Sequence, residues 1–280
     1  MRVIDAHHHL WDPARRTYDW MAGLDPIHRP YTEADLRAVT RASATVLVQT
    51  VPSVEETVEF LGVAASSSLV TGVVGWVDLT APDVADRLAA LRSGPGGDAL
   101  VGIRHQAQDE PDPRWLLRHE VVRGITAVAA AGLTYDLLVK PAQHEAAVEL
   151  ADAVPGVRLV LDHAGKPAIA AGGYEPWAAF LSSLAARPNV FCKLSGLVTE
   201  ADWTKWTVEE IRPYAEHVLA AFGPDRVMFG SDWPVCELAA TYDEVYEAAR
   251  AFTTALSTSE RSEVFAGTAT RAYPLSPAGG

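Results

Sequence analysis

The chain has 280 residues, of which 49% are hydrophobic and 21% charged, with a formal net charge of -13. That composition can bury a large core, which excludes a disordered chain. The acidic balance without a basic run argues against nucleic acid or an anionic membrane surface as a partner.

The first predicted strand, Val3–Asp5, runs into Asp5-Ala6-His7-His8-His9. Side chains alternate along a strand, so His7 and His9 share one face and His8 points away. Two imidazoles on one rigid face suit a metal ion or an anionic substrate, although a metal-free surface strand would read the same way. The stretch 10–31 follows, with Trp11, Tyr18, Trp20 and His28. It is longer than an ordinary connection and is a candidate lid.

Further strands are expected at Ala44–Gln49, Val70–Asp78, Leu100–His105, Thr134–Val139, Arg158–Asp162, Val190–Leu194 and Arg226–Gly230. They are continuous apolar runs, the pattern of strands covered on both faces. Helices are expected between them at Glu33–Ser43, Glu55–Ser67, Asp83–Arg92, Arg114–Ala131, Gln143–Ala153, Glu175–Arg187 and Glu209–Phe222, with a last helical stretch from Tyr242 to Ala272. Thr32 with Asp35, Ser53 with Glu56 and Thr207 with Glu210 have capping-box spacing, and Gly132 and Gly223 stand at helix ends. Strand followed by helix about eight times predicts an α/β fold, a distorted (β/α)8 TIM barrel, as a single domain over 1–280 with a frayed tail at 275–280. A doubly wound sheet would need a glycine-rich loop after the first strand, and the sequence has none there.

Cys192 and Cys236 have no C-x-x-C spacing, so no disulfide framework is expected. By parity Cys192 faces away from Lys193 and reads as a core thiol. Cys236 lies beside the Asp232 loop. No run of about twenty apolar residues suggests a membrane span. A predicted strand within two residues of Met1 leaves no space for a signal peptide, so the expected location is cytoplasmic. The sequence does not distinguish a monomer from a homodimer.

Barrel active sites form where strands end. Here the ends carry His7 and His9, Gln49, Trp76 and Asp78, Arg104 and His105, Lys140, Asp162 and His163, Lys193 and Ser195, then Asp232 and Trp233. The set predicts a cationic, histidine-rich cup around one central carboxylate. Asp232 can take a proton from water as a general base. His7, His9 and His163 can polarise a carbonyl or hold a metal. Arg104, Lys140 and Lys193 can orient a carboxylate or polyol. Trp11, Trp20, Trp76 and Trp233 can wall a sugar pocket or simply fill core. A G-x-S-x-G nucleophile motif is lacking.

The D-x-H-x-H strand end and the late aspartate resemble the amidohydrolase superfamily. Four further segments resemble its sugar-lactonase branch, which holds L-fuconolactonase- and L-rhamnonolactonase-like enzymes: Gly102-Ile103-Arg104-His105-Gln106 with Asp109-Glu110-Pro111, Leu161-Asp162-His163-Ala164-Gly165-Lys166-Pro167, Cys192-Lys193-Leu194-Ser195-Gly196-Leu197, and Phe229-Gly230-Ser231-Asp232-Trp233-Pro234. The resemblance implies hydrolysis of a sugar-acid lactone. Asp232 would activate water, and His7, His9 and His163 would surround the carbonyl. Arg104, His105, Lys140, Trp76, Trp233 and Trp20 would contact the small-molecule substrate.

Metal-dependent relatives usually offer a histidine at the end of strand five, where this chain reads Leu138-Val139-Lys140-Pro141, with His144 the nearest. The expectation is therefore that no cofactor is required. The alternative is one divalent metal such as zinc on His7, His9 and Asp232. Two other readings stay open: a metal-dependent amidohydrolase or decarboxylase of the same superfamily, and a non-catalytic sugar-binding barrel.

Overall fold

The apolar runs become parallel strands because helices cover one face of each and the barrel interior covers the other. A computed structural model describes residues 1–275. The expected tail at 275–280 therefore lies outside the described residues, apart from Leu275. The strands are β1 (Ile4–His8), β2 (Ala44–Val48), β3 (Val70–Gly75), β4 (Leu100–His105), β5 (Thr134–Leu137), β6 (Leu159–Leu161), β7 (Val190–Leu194) and β8 (Val227–Phe229). They lie in sequence order in one sheet, each parallel to the next. Every residue of β1 and β2 is buried.

The seam between β1 and the last strand closes just beyond β8. Asp232 N donates to the His7 carbonyl at 2.8 Å, and His9 N donates to the Trp233 carbonyl at 2.7 Å. The result is a nearly closed (β/α)8 barrel.

The helices are α1 (Glu33–Val39), α2 (Val54–Ser66), α3 (Val84–Ser93), α4 (His119–Ala130), α5 (His144–Ala153), α6 (Glu175–Ala185), α7 (Leu197–Glu200), α8 (Val208–Phe222), α9 (Tyr242–Phe252), α10 (Thr258–Ser262) and α11 (Thr268–Ala272). Thr32 and Asp35 cap α1 reciprocally. Ser53 and Thr207 accept the expected backbone hydrogens of Glu56 and Glu210, but the box is one-sided. The Glu56 carboxylate turns instead to Thr50 N, 2.7 Å away, and so braces the loop after β2.

Several boundaries differ from expectation. β1 extends past Asp5 to His8. β3 stops at Gly75 because Trp76 N donates to Thr57 Oγ1 at 2.8 Å rather than to a strand. The helix expected from Arg114 begins at His119, because Arg118 is extended (φ −60, ψ 136) after a 3-10 turn. The long stretch from Tyr242 breaks at Thr253, and a new capping box at Ser257 and Glu260 starts α10.

Two apolar regions result. One lies between the strands and the outer helices. The other fills the lower barrel, where Ile4, Val46, Val74, Val101 and Met228 meet Ala269 and Tyr273 at the end of α11. The chain thus plugs its own barrel from below, and the Tyr273 hydroxyl donates to Asp136 Oδ2 at 2.7 Å. Among the described residues no helix is long and apolar enough to cross a membrane.

Candidate active site

Parity on β1 places His7 and His9 together at the upper end of the barrel, their Nε2 atoms 3.1 Å apart. His8 points the other way and meets Thr45 Oγ1 at 2.9 Å. Asp232 reaches the pair because its backbone is left-handed (φ 57). Asp5 braces that turn: its Oδ1 accepts Ser231 N at 2.8 Å, and its Oδ2 accepts the Ser231 hydroxyl at 2.6 Å. Burial pushes the Asp5 carboxyl up to about 6. His163 stands in a run of left-handed residues, His163 (φ 51), Ala164 (φ 50), Gly165 (φ 71) and Lys166 (φ 53). Such conformations are costly for residues other than glycine and collect at functional sites.

One carboxylate oxygen faces all three imidazoles. Asp232 Oδ1 lies 3.5 Å from His9 Nε2, 3.7 Å from His7 Nε2 and 3.9 Å from His163 Nε2. Burial works to raise the Asp232 carboxyl. Its contacts with His163 and His9 and the positive charge of Lys166 outweigh it and hold the group below its ordinary value. Burial lowers His163 to about 4 and takes His7 well down, helped by Lys193. Both rings are therefore neutral near pH 7.

The partners of the rings assign their hydrogens. The Val48 carbonyl can only accept, so His9 Nδ1, 2.7 Å away, carries a hydrogen. As an ammonium Lys193 only donates, so His7 Nδ1 accepts from it at 3.1 Å. The hydrogen of neutral His7 then sits on Nε2, on the side of His9 and Asp232.

Beneath the histidines lies a sealed ionic layer. Lys193 Nζ contacts Asp136 Oδ2 at 2.6 Å and Asp162 Oδ1 at 2.8 Å. Arg104 donates to Asp162 Oδ2 at 2.9 Å, and through Nε and NH2 to Gln49. Burial raises Asp136 to about 6, whereas the charges of Lys193 and Arg104 overcome burial at Asp162 and hold it far down. The expectation of one central carboxylate is thus corrected to three: Asp232 at the mouth, Asp162 and Asp136 below it.

The mouth is an open cavity of about 110 Å³ whose lining includes His9, His163, Asp232, Lys166, Trp20 and Gln108. Trp20 stands on a 3-10 turn, Asp19–Met21, of the 10–31 stretch. The same stretch is pinned by reciprocal backbone hydrogen bonds between Trp11 and Tyr31.

Other expected contacts lie elsewhere. Lys140 is exposed and pairs with Asp109 Oδ1 at 3.2 Å. His105 uses both ring nitrogens, accepting from Trp76 Nε1 at 3.0 Å and meeting Glu110 Oε1 at 2.8 Å, and it stacks on Trp115. Trp233 is 1% exposed, and its indole donates to Glu237. Lys193 has no exposed side-chain surface and joins the mouth only through His7. Cys192 and Cys236 are buried and unpaired, and burial pushes both thiols up.

Sequence reasoning passed over Lys166, although it quoted the segment that holds it. The signal was the cation three residues after His163. It also passed over Asp136, whose charge inside an apolar strand marked a buried ion pair.

His7 Nε2, His9 Nε2 and Asp232 Oδ1 have the right spacing for a metal. Their separations of 3.1, 3.5 and 3.7 Å are close to the edge of a tetrahedron with bonds near 2.05 Å, roughly 3.3 Å. The residues fit zinc on one condition: the His7 hydrogen must move to Nδ1, where Asp162 Oδ1 at 3.4 Å can accept it.

The family described as Amidohydrolase matches residues 4–275. An L-fucono-1,5-lactonase of Burkholderia multivorans is 40% identical, over 97% of this chain and 96% of its own. An L-fucono-1,5-lactonase of Burkholderia ambifaria is 40% identical, over 86% and 83%. A crystal structure of an amidohydrolase from Burkholderia multivorans with bound zinc superposes with a TM-score of 0.92 at 39% identity, covering 99% of this chain and all of that one.

Proposed function

The chain belongs to the amidohydrolase family, and on that premise we propose that it is a lactonase, a hydrolase that opens the cyclic ester of a sugar acid such as L-fucono-1,5-lactone. The observation that carries the reading is a carboxylate held ionised at the cavity mouth with three imidazoles around one of its oxygens. Relatives of the same length with that activity support the choice of substrate.

Asp232 accepts a proton as a water molecule attacks the lactone carbonyl carbon. The imidazole N–H groups of the histidine wall stabilise the negative charge that develops on the carbonyl oxygen. The ionic layer of Lys193, Asp162 and Arg104 fixes His7 and needs no rearrangement during the reaction. Trp20 and the 10–31 stretch cover one side of the bound ring and act as a lid. A zinc ion on His7, His9 and Asp232, when bound, would supply Lewis acidity toward the carbonyl. We favour a route in which the side chains suffice, since an ester needs less activation than an amide.

Acid release from a panel of L- and D-aldonolactones, followed with a pH indicator with and without chelator, tests the reading. Turnover that survives chelation supports it. Turnover lost to chelator and restored by zinc keeps the lactonase but makes His7, His9 and Asp232 ligands. A chain inert on every lactone refutes it.

A further inference from the structure

Ring opening creates two charges, and the residues named so far answer only one. The tetrahedral oxygen faces the histidines. The ring oxygen leaves as an alkoxide and needs a proton. Two cationic side chains line the cavity among the described residues, Arg104 and Lys166. Arg104 directs its N–H groups to Gln49 and Asp162. Lys193 lies below, held by Asp136, Asp162 and His7. Lys166 differs from both. Its one charged partner among the described residues, Glu200 at the end of α7, is a loose contact of 3.7 Å, too long for a hydrogen bond. Its backbone is left-handed, the last of the four consecutive residues that bring His163 and Lys166 to the same mouth.

From this elimination we infer that Lys166 is the general acid that protonates the leaving ring oxygen. The inference rests on the lactonase reading. Water bonds to the carbonyl carbon as Asp232 takes its proton. The intermediate collapses, the bond from carbonyl carbon to ring oxygen breaks, and that electron pair goes to the ring oxygen, which takes a proton from Lys166 Nζ. The new carboxylic acid returns a proton to Lys166, Asp232 loses its proton to solvent, and one proton is released overall. Glu200 is a positioning residue that keeps the ammonium over the cavity.

The test compares a trihydroxylated 1,5-lactone with its ring-sulfur thiolactone. A thiolate, of pKa about 8.5, leaves without a proton, whereas an alkoxide does not. For Lys166→Met the kcat on the oxygen lactone is expected to fall by about 10²–10⁴, while the thiolactone changes by less than about tenfold. Lys166→Arg keeps the charge but cannot give up a proton, so it should retain KM and lose kcat on the oxygen lactone. Circular dichroism confirms that both variants fold. Equal losses on the two rings, or none, would overturn the inference and leave the lactonase in place. A native protein that opens neither ring would remove the reading and the inference together.

Discussion

The amide of Asp232 donates to the carbonyl of His7 at 2.8 Å, so the bond that closes the barrel joins two residues of the site. The geometry of the carboxylate against the histidines is therefore set by backbone rather than by flexible side chains. Asp5 and Ser231 lock the same corner from inside. Ser231→Ala removes a hydrogen bond to a buried carboxyl and is expected to cost about 1.5–3 kcal/mol of stability, read by denaturant unfolding. It should also lower kcat more than it raises KM, because it loosens Asp232.

Asp232→Asn keeps the size of the side chain but cannot accept the proton of water. It should fold normally and lose about 10²–10⁴ in kcat on any lactone the native protein cleaves. The pH profile carries the same information. The competent form is the ionised one, and its neighbours hold the group below its ordinary value. Activity should therefore persist through pH 5 and fall only as the pH drops through the lowered pKa. Loss of activity already between pH 7 and 6 would point to another group.

Gly196 sits at φ +65, and a Cβ there would lie 2.6 Å from His163 Nδ1. Gly196→Ala meets both penalties, the left-handed conformation at about 1–2 kcal/mol and a clash with the imidazole that Ser195 otherwise holds at 2.9 Å. The expected outcome is a folded but destabilised protein in which His163 turns away from Asp232. A crystal structure and a kcat measurement check it together.

His144 was the nearest histidine to the end of β5 and is buried instead of ligating. It stacks on Phe180 with ring centroids 3.6 Å apart, and its Nε2 donates to the Gly165 carbonyl at 2.8 Å. Burial lowers it to about 4 from 6.5. The unfolded chain therefore binds a proton that the folded one does not. The neutral ring's full contribution is present above pH 6.5 and is lost as the pH falls toward 4. Thermal melts at pH 7 and pH 5 should show a smaller acid loss for His144→Leu than for the native protein.

Zinc gives a further check. Equilibrium dialysis should find at most one ion per chain at this site, weakened by His9→Gln. Chelation should leave lactone turnover in place.

The barrel was legible because its strands are unbroken apolar runs and its helices carry their own caps. The D-x-H-x-H end of the first strand, with the segments around His163 and Asp232, pointed to three histidines and a carboxylate at one mouth. The fine assignment was not legible. A strand end says that a side chain is near the mouth, not which way its donors point. His105 and Trp233 stood at strand ends yet spend their polar atoms on Glu110 and Glu237. Lys140 sat where a ligand was sought and faces solvent with Asp109. Asp136 and Tyr273 meet only because the end of α11 folds back under the barrel, a contact across 137 residues that no local pattern encodes.

The most direct test is acid release from L-fucono-1,5-lactone by the chelator-treated native protein and by Asp232→Asn, side by side. Rapid turnover by the native chain and its near loss in the variant are expected. A variant as fast as the native protein, or a native protein that leaves the lactone intact, would contradict the central claim.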